Sequence, residues 1–369
     1  LAVGDWAQYK SSATLAHSSS APTKQGRISQ AEAIQIAILD SAFGCLALAR
    51  DITSGDAIAV NLNSKVCRDS DDAASMKAMR SAWEDYLGKG ATSKVYNDAT
   101  VEEFLRQPVR QLLAYAPNAR SVLYVYSDWV GGLPVFGRGA LRKPLDTLVH
   151  ANYSFPRASE VSRSVSLESV RLLVNASLPF AEIEEIWIRR SAPLITSLQT
   201  LKDYRSGQFP AGLAGSSIWH VAAHARSDEL TPSKSVIQLS SATTLTTSEI
   251  DFGLRSIPVR NLPRLVVLSA CDTARTQYRN LSPSIANVFL ARGVDWVIAS
   301  SWRVDDLATS LLMAKFYEAL ASGQEVPSAL GSAQVWLANA SVEEVEAMIA
   351  ATGRALPPNA QKSVNDLGG

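Results

Sequence analysis

The chain has 369 residues, 47% of them hydrophobic and 19% charged, which suits one large core or two smaller ones and excludes wholesale disorder. Lys and Arg number 35 and Asp and Glu 35, so the formal charge is zero, and no basic block tracks phosphates or anionic lipid. Nucleic acid is not an expected direct ligand, and no apolar stretch reaches the roughly 18 uninterrupted residues of a membrane helix, so a soluble protein is expected.

The chain begins at Leu1 with no charged start and apolar run, which reads as a boundary or mature end rather than a signal peptide. Residues 1–29 are expected to be a flexible lead or linker, since 10–29 are rich in Ser, Thr and Ala and poor in large apolar groups. From Ser29 the run QAEAIQIAILDSAFGCLALARDI has apolar residues on more than one helical face and predicts a mostly buried helix. Two more helices are expected, SMKAMRSAWEDYLG with Gly88 as its stop and VEEFLRQPVRQLLAYA with Pro108 kinking or dividing it. A helix-rich N-terminal region therefore occupies 30–99 and continues in character to Asn118.

Beyond Asn118 come the short apolar runs SVLYVYSD, RLLVNAS, SSIWHVAAH, RLVVLSAC and DWVIASSW, alternating with helical stretches such as LPFAEIEEIWIRR and DDLATSLLMAKFYEALASG. Near-continuous apolar strands separated by helices predict an α/β sandwich with a mostly parallel sheet covered on both faces. VIQLS and TTLTT resemble a small hairpin, and Thr246 with Glu249 forms a capping-box signature for the short helix EIDFGLR. Gly323 is the expected stop of the helix carrying Leu312, Phe316 and Leu320. No repeat of solenoid period is present.

Three cysteines, Cys45, Cys67 and Cys271, are widely separated and form no CxxC, which argues against a disulfide framework or a Cys-rich zinc site and for a reducing, cytosolic setting. SSIWHVAAH ends at His224 and RLVVLSAC at Cys271, and ligands of open α/β sheets sit beyond the carboxyl ends of strands. A thiol and an imidazole at adjacent strand ends meet the requirement for a nucleophile paired with a general acid/base. A small buried core residue is the plain alternative for Cys271.

The segments HVAAHA, LVVLSACDTA, NVFLARGVDWVIASSWRVDD and LLMAKFYEALASG resemble, in this order and spacing, the CHAT family, caspase-like cysteine peptidases of the separase and caspase clan. Upstream, LPFAEIEEI is similar to the family's LP-x-A-x-x-E segment, and DWVGGLPVFGRGAL to its region ending in an LP-F turn. His224 also precedes Cys271 by close to the roughly 50 residues that separate His and Cys in caspases. The resemblance implies a caspase-like three-layer sandwich over residues 100–345, followed by a C-terminal helix and tail over 346–369. It implies a His-Cys dyad, His224 and Cys271, with no metal or organic cofactor. Backbone N–H groups at Cys271 and Ala225 would hold the oxyanion, although Ala225 stands where the family usually has Gly. In the same clan, acidic residues after the following strand line the pocket for the residue before the cleaved bond, which gives Asp305 and Asp306 two candidate roles, selection of Arg or Lys and helix capping. Asp272 has a similar ambiguity and, as a neighbouring anion, raises the thiol pKa.

His220 stands four residues before His224. Residues i and i+4 of a strand lie about 13 Å apart, too far to share one ion, so His220 reads as a hydrogen-bonded core histidine. His17 and His150 receive no role.

The leading expectation is a cytoplasmic cysteine endopeptidase that cleaves a partner protein, with no nucleic acid or membrane involved. The resemblance further implies a gated enzyme of a bacterial regulatory or defence pathway, its sensor supplied in trans or by residues before Leu1. Alternatives are a catalytically silent CHAT-fold interaction module and an acyltransferase or amidase using the same Cys-His pair.

Overall fold

A computed structural model describes residues 28–41, 44–61, 106–126, 147–152, 165, 167–175, 177–191, 197–200, 214–228, 231–240, 243–274 and 284–353. The segment 10–27, the helix expected over 75–88, the segment 128–141, Cys67, His17 and the residues after 353 lie outside them. The chain divides into two compact units, residues 1–158 and 159–369.

In the first unit the helix expected after Ser29 is instead two antiparallel strands, β1 (Ala33–Ser41) and β2 (Gly44–Asp51), paired from Ile34 opposite Asp51 to Ser41 opposite Gly44. Ile34, Ile36 and Ile38 recur at every second residue, and β-branched alternation favours pleated backbone. Gln35 and Ala37 between them are also buried, so both faces of β1 are covered. That two-sided burial imitates a helix that is apolar all round. β3 (Ala57–Asn61) pairs with β2. Helix α1 (Gln107–Tyr115) lies within the expected 101–116 stretch and carries Pro108 in its first turn, where a missing N–H is tolerated. β4 (Ser121–Tyr126), where a strand was expected, and β5 (Thr147–Asn152), which includes His150, complete a sheet of order β3-β2-β1-β4-β5.

In the second unit β6 (Ser169–Val174), α2 (Ala181–Ser191), β7 (Ser197–Thr200) and β8 (Ile218–Ala222) come first. They lead into a small sheet of β9 (His224–Arg226), β10 (Val236–Gln238) and β11 (Thr244–Thr246), in which β10 and β11 are the expected hairpin. Helix α3 (Thr247–Arg255), β12 (Leu265–Ser269), α4 (Ile285–Ala291) and β13 (Trp296–Ala299) follow. The chain then runs through α5 (Asp306–Ala321), α6 (Val326–Asn339) and α7 (Val342–Ala351).

All five strands of the larger sheet are parallel, in the order β13-β12-β8-β6-β7. Alternate side chains separate its two faces. Trp219, Val221, Val266 and Leu268 pack with Ile250 and Leu254 of α3 and Val288 and Phe289 of α4. Val170, Leu172, Ile218 and Val267 pack with Phe316 and Leu320 of α5, Ile188 of α2 and Ala329 of α6. This is the expected three-layer sandwich. Behind the second helical layer, Val345 and Ile349 of α7 close over Leu307 and Leu311 of α5 and Ile183 of α2.

Local signals agree with the long-range order. Thr246 and Glu249 cap α3 reciprocally as the sequence predicts, and Gly323 ends α5 with φ +92°, a conformation that a Cβ would strain. Trp219 is fully buried and meets Phe289 edge to face at 6.2 Å between ring centres. Trp219→Ala is expected to lower the unfolding free energy by about 3–5 kcal/mol. Urea denaturation measures it, and a loss below about 1 kcal/mol would mean that this face of the sheet is not a packed core.

Candidate active site

The site begins with the pairing of β8 and β12. Their register sets Ser269 opposite Ala222, and the Ala223 N–H donates to the Ser269 carbonyl at 3.3 Å, one step beyond the ladder. The last paired residues are followed two positions later by His224 after β8 and by Cys271 after β12. One expectation is corrected here, because β8 stops at Ala222 and His224 opens β9, opposite Gln238 of β10. The break has a local cause in the buried Asn175. Its N–H donates to Ala222 O at 2.8 Å and its side-chain amide to Gln238 O at 2.8 Å, tying the ends of β6 and β8 to β10. His224 and Arg226 are exposed on β9, while Ala225 turns inward against the core. Among the described non-glycine residues only Asp272 has positive φ, so alanine stands unstrained at position 225.

Cys271 sits in a turn laced to the chain that follows β13. Ser300 Oγ donates to Ala270 O at 2.5 Å, as does Thr273 Oγ1 at 3.3 Å, and Thr273 Oγ1 accepts the Ser300 N–H at 3.2 Å. The Ala274 N–H reaches Ser300 O at 2.8 Å and the Asp272 N–H reaches Trp302 O at 3.2 Å. Asp272 adopts φ 56°, the left-handed region that Asp tolerates better than most residues. The turn leaves the Cys271 N–H without an acceptor among the described residues. The thiol is half-buried and its Sγ lies 3.8 Å from Val304 O. Burial pushes the Cys271 pKa up, and the Asp272 and Asp306 charges add to the rise, against Val304 O and the Arg303 charge, which lower it. At rest the group is a thiol, not a thiolate.

The three aspartates expected to line a pocket have separable positions. Asp305 is exposed and caps α5, accepting the Ala308 N–H at 2.9 Å. Asp306 is largely covered and accepts the Phe180 N–H at 3.2 Å, while Ser310 Oγ donates to Phe180 O at 3.1 Å. Burial raises the Asp306 carboxyl to about 6, and the nearby Glu184 and Asp305 add to that rise. Asp272 is buried beside Cys271.

His220 has no part in this surface. Its Nδ1 lies 3.1 Å from the Tyr317 hydroxyl and its Nε2 3.3 Å from Glu184 Oε2, all three side chains being buried. Burial and the Glu184 charge raise the Tyr317 pKa, so the phenol keeps its proton and donates it to Nδ1, and the Nε2–H then points at Glu184. The second Glu184 oxygen accepts Ser269 Oγ–H at 2.5 Å. The core reading of His220 holds. What the single sequence hid was the partner set, since Glu184 was legible only as the last letter of LPFAEIE. Among the described residues no group of three or more His, Cys, Asp or Glu could hold a metal ion, and no helix is long and apolar enough to cross a membrane.

Two tests follow from this geometry. His220→Gln is expected to lower stability by about 1–3 kcal/mol, because it strands buried polar partners, and to leave metal content unchanged. Loss of activity with loss of a stoichiometric metal would refute the core reading. Asp306 binds its proton more tightly folded than unfolded, so its contribution is full below pH about 4 and is lost as pH rises through about 6. Relative to Asp306→Asn, the wild type should therefore lose on the order of 2–3 kcal/mol across that window, read from urea midpoints. A flat difference would show that Asp306 titrates normally.

Among solved structures, the chain is similar to the Arg specific cysteine proteinase gingipain R (RGPB), with 10% identity, a TM-score of 0.41, and coverage of 79% of this chain and 72% of that one. No curated protein matches the sequence. The family model described as the CHAT domain matches residues 100–359, a span that includes β8, β12 and the turn bearing Cys271, and the chain belongs to the CHAT domain family.

Proposed function

We propose that the chain is a cysteine endopeptidase with Cys271 as nucleophile and His224 as general acid/base. The observation that carries this reading is the parallel pairing of β8 with β12, which ends at Ala222 opposite Ser269, each two residues before His224 and Cys271. In the proposed reaction His224 takes the thiol proton as Sγ forms a bond to the substrate carbonyl carbon. The oxyanion is held by the Cys271 N–H and the Ala225 N–H, and His224 gives the proton to the departing amine. Water, deprotonated by His224, then cleaves the thioester and restores the thiol.

The preferred residue before the cleaved bond is Arg or Lys. The support is electrostatic. Asp272 and Asp306 both raise the Cys271 pKa and Arg303 alone opposes them by charge, so carboxylates outnumber cations around this thiol. A basic side chain entering it would make charge-assisted hydrogen bonds and lower the thiol pKa. The substrate is a protein, and cleavage is gated by a regulatory partner of a bacterial regulatory or defence pathway. The resting thiol against Val304 O supports the gate, since the 302–306 segment must yield before Sγ is free to attack. The same contact favours the second reading, a catalytically silent interaction module.

Cys271→Ala and His224→Ala are each expected to abolish cleavage of a peptide library, the double variant being no worse than either, because members of one catalytic unit are not additive. Cleavage near the wild-type rate by purified Cys271→Ala would sink the dyad. Wild-type preference for basic residues should weaken in Asp306→Asn or Asp305→Asn. A preference for acidic residues would instead assign recognition to Arg303.

A further inference from the structure

Glu184 is fully buried on α2, far in sequence from Cys271, and neither binding nor chemistry in the proposed reaction uses it. Its two oxygens join two strands. Oε1 accepts Ser269 Oγ–H at 2.5 Å, at the last residue of β12, and Oε2 faces His220 Nε2 at 3.3 Å, in the middle of β8. A buried carboxylate is tolerable only when such donors satisfy it, and here the donors sit on the two strands whose ends carry Cys271 and His224. Ser269 is followed by Ala270, whose carbonyl is held by Ser300 and Thr273, and then by Cys271. Between the Glu184 anchor and the Sγ–Val304 contact there is thus a single residue, Ala270, held through its carbonyl and by its N–H donating to Leu268 O at 2.9 Å.

From this we infer that Glu184, acting through Ser269, is the positioning residue of the nucleophile. It fixes the end of β12 so that the turn presents Sγ at the height of His224 and keeps the Cys271 N–H directed outward. Tyr317 bonds to the same network at His220 and packs in the cluster that includes Leu265 and Val267 of β12, but its hydroxyl does not bond Ser269, so it shares the burial without the polar link to the end of β12. The inference rests on the peptidase reading for its catalytic consequence, though not for its geometric one.

The test compares Ser269→Ala, Glu184→Gln and Tyr317→Phe with the wild type. The readouts are thermal melting, kcat and KM on the best library peptide, and the rate of iodoacetamide alkylation mapped to Cys271. Ser269→Ala removes one hydroxyl at the partly buried end of β12 and leaves Glu184 Oε2 facing His220, so it is expected to perturb folding less than Glu184→Gln. Misplacement of a reacting atom by about 1 Å costs up to roughly a hundredfold in rate, so kcat in Ser269→Ala and Glu184→Gln should fall about tenfold or more with KM changed less than about twofold. Alkylation should rise about threefold as Sγ leaves Val304 O and becomes accessible. Tyr317→Phe should change melting alone. The inference is overturned if Ser269→Ala keeps wild-type kcat and alkylation, or if kcat losses in the three variants simply follow their losses in melting temperature. Should the wild type cleave no peptide, the peptidase reading fails while the alkylation rates still decide the positioning role.

Discussion

The parallel pairing of β8 with β12 is the constraint on which the site depends. Parallel ladders fix both the level and the direction of neighbouring strands, and the last paired residues, Ala222 and Ser269, stand two positions before His224 and Cys271. The pairing itself is held by core on both faces, with Trp219 and Val266 toward α3 and α4 and Ile218 and Val267 toward α5. Packing energy on those faces is therefore what keeps the ends of β8 and β12 paired.

A second constraint is charge. Asp272, Asp306 and Glu184 crowd the protein side of the Cys271 turn, and Asp306 answers with a carboxyl raised to about 6. An anionic neighbourhood opposes thiolate formation, so the arrangement favours the neutral thiol. Glu184 differs from the other two because donors from both β8 and β12 satisfy it, so its removal changes the geometry of the sheet as well as the field.

The legible parts of the sequence were those in which local and global signals coincide. RLVVLSAC and DWVIASSW are short β-branched runs closed by small polar residues, and they became β12 and β13. The Thr246–Glu249 signature and Gly323 marked real helix ends, because capping depends only on neighbours in sequence. The run after Ser29 misled because a strand buried on both faces lacks the clean alternation of an edge or one-sided strand. In Ile34-Gln35-Ile36-Ala37-Ile38 the period-two pattern of isoleucines was the correct signal, masked by the small and polar residues buried between them. The break between β8 and β9 was invisible for a different reason, since it is imposed by Asn175, which lies far from Ala222 in sequence and meets it only after β6 and β8 have paired.

The motif residues around the dyad divide by what they touch. Thr273 and Ser300 both grip Ala270 O, and Asp272 takes the left-handed bend that returns the chain toward Trp302, so LSACDT and ASSW are two halves of one clasp around Cys271. Phe180 is held at both backbone atoms by α5, through Asp306 and Ser310, which orients α2 and thereby Glu184 beneath the same clasp. A segment of the form LP-x-A-x-x-E is consequently mechanical in this fold. Its phenylalanine backbone is docked on α5, its alanine and isoleucine enter the core, and its glutamate reaches the sheet under the reactive turn. Removing the thiol would delete the chemistry and leave this frame intact, whereas loosening the frame would leave the thiol present and misplaced.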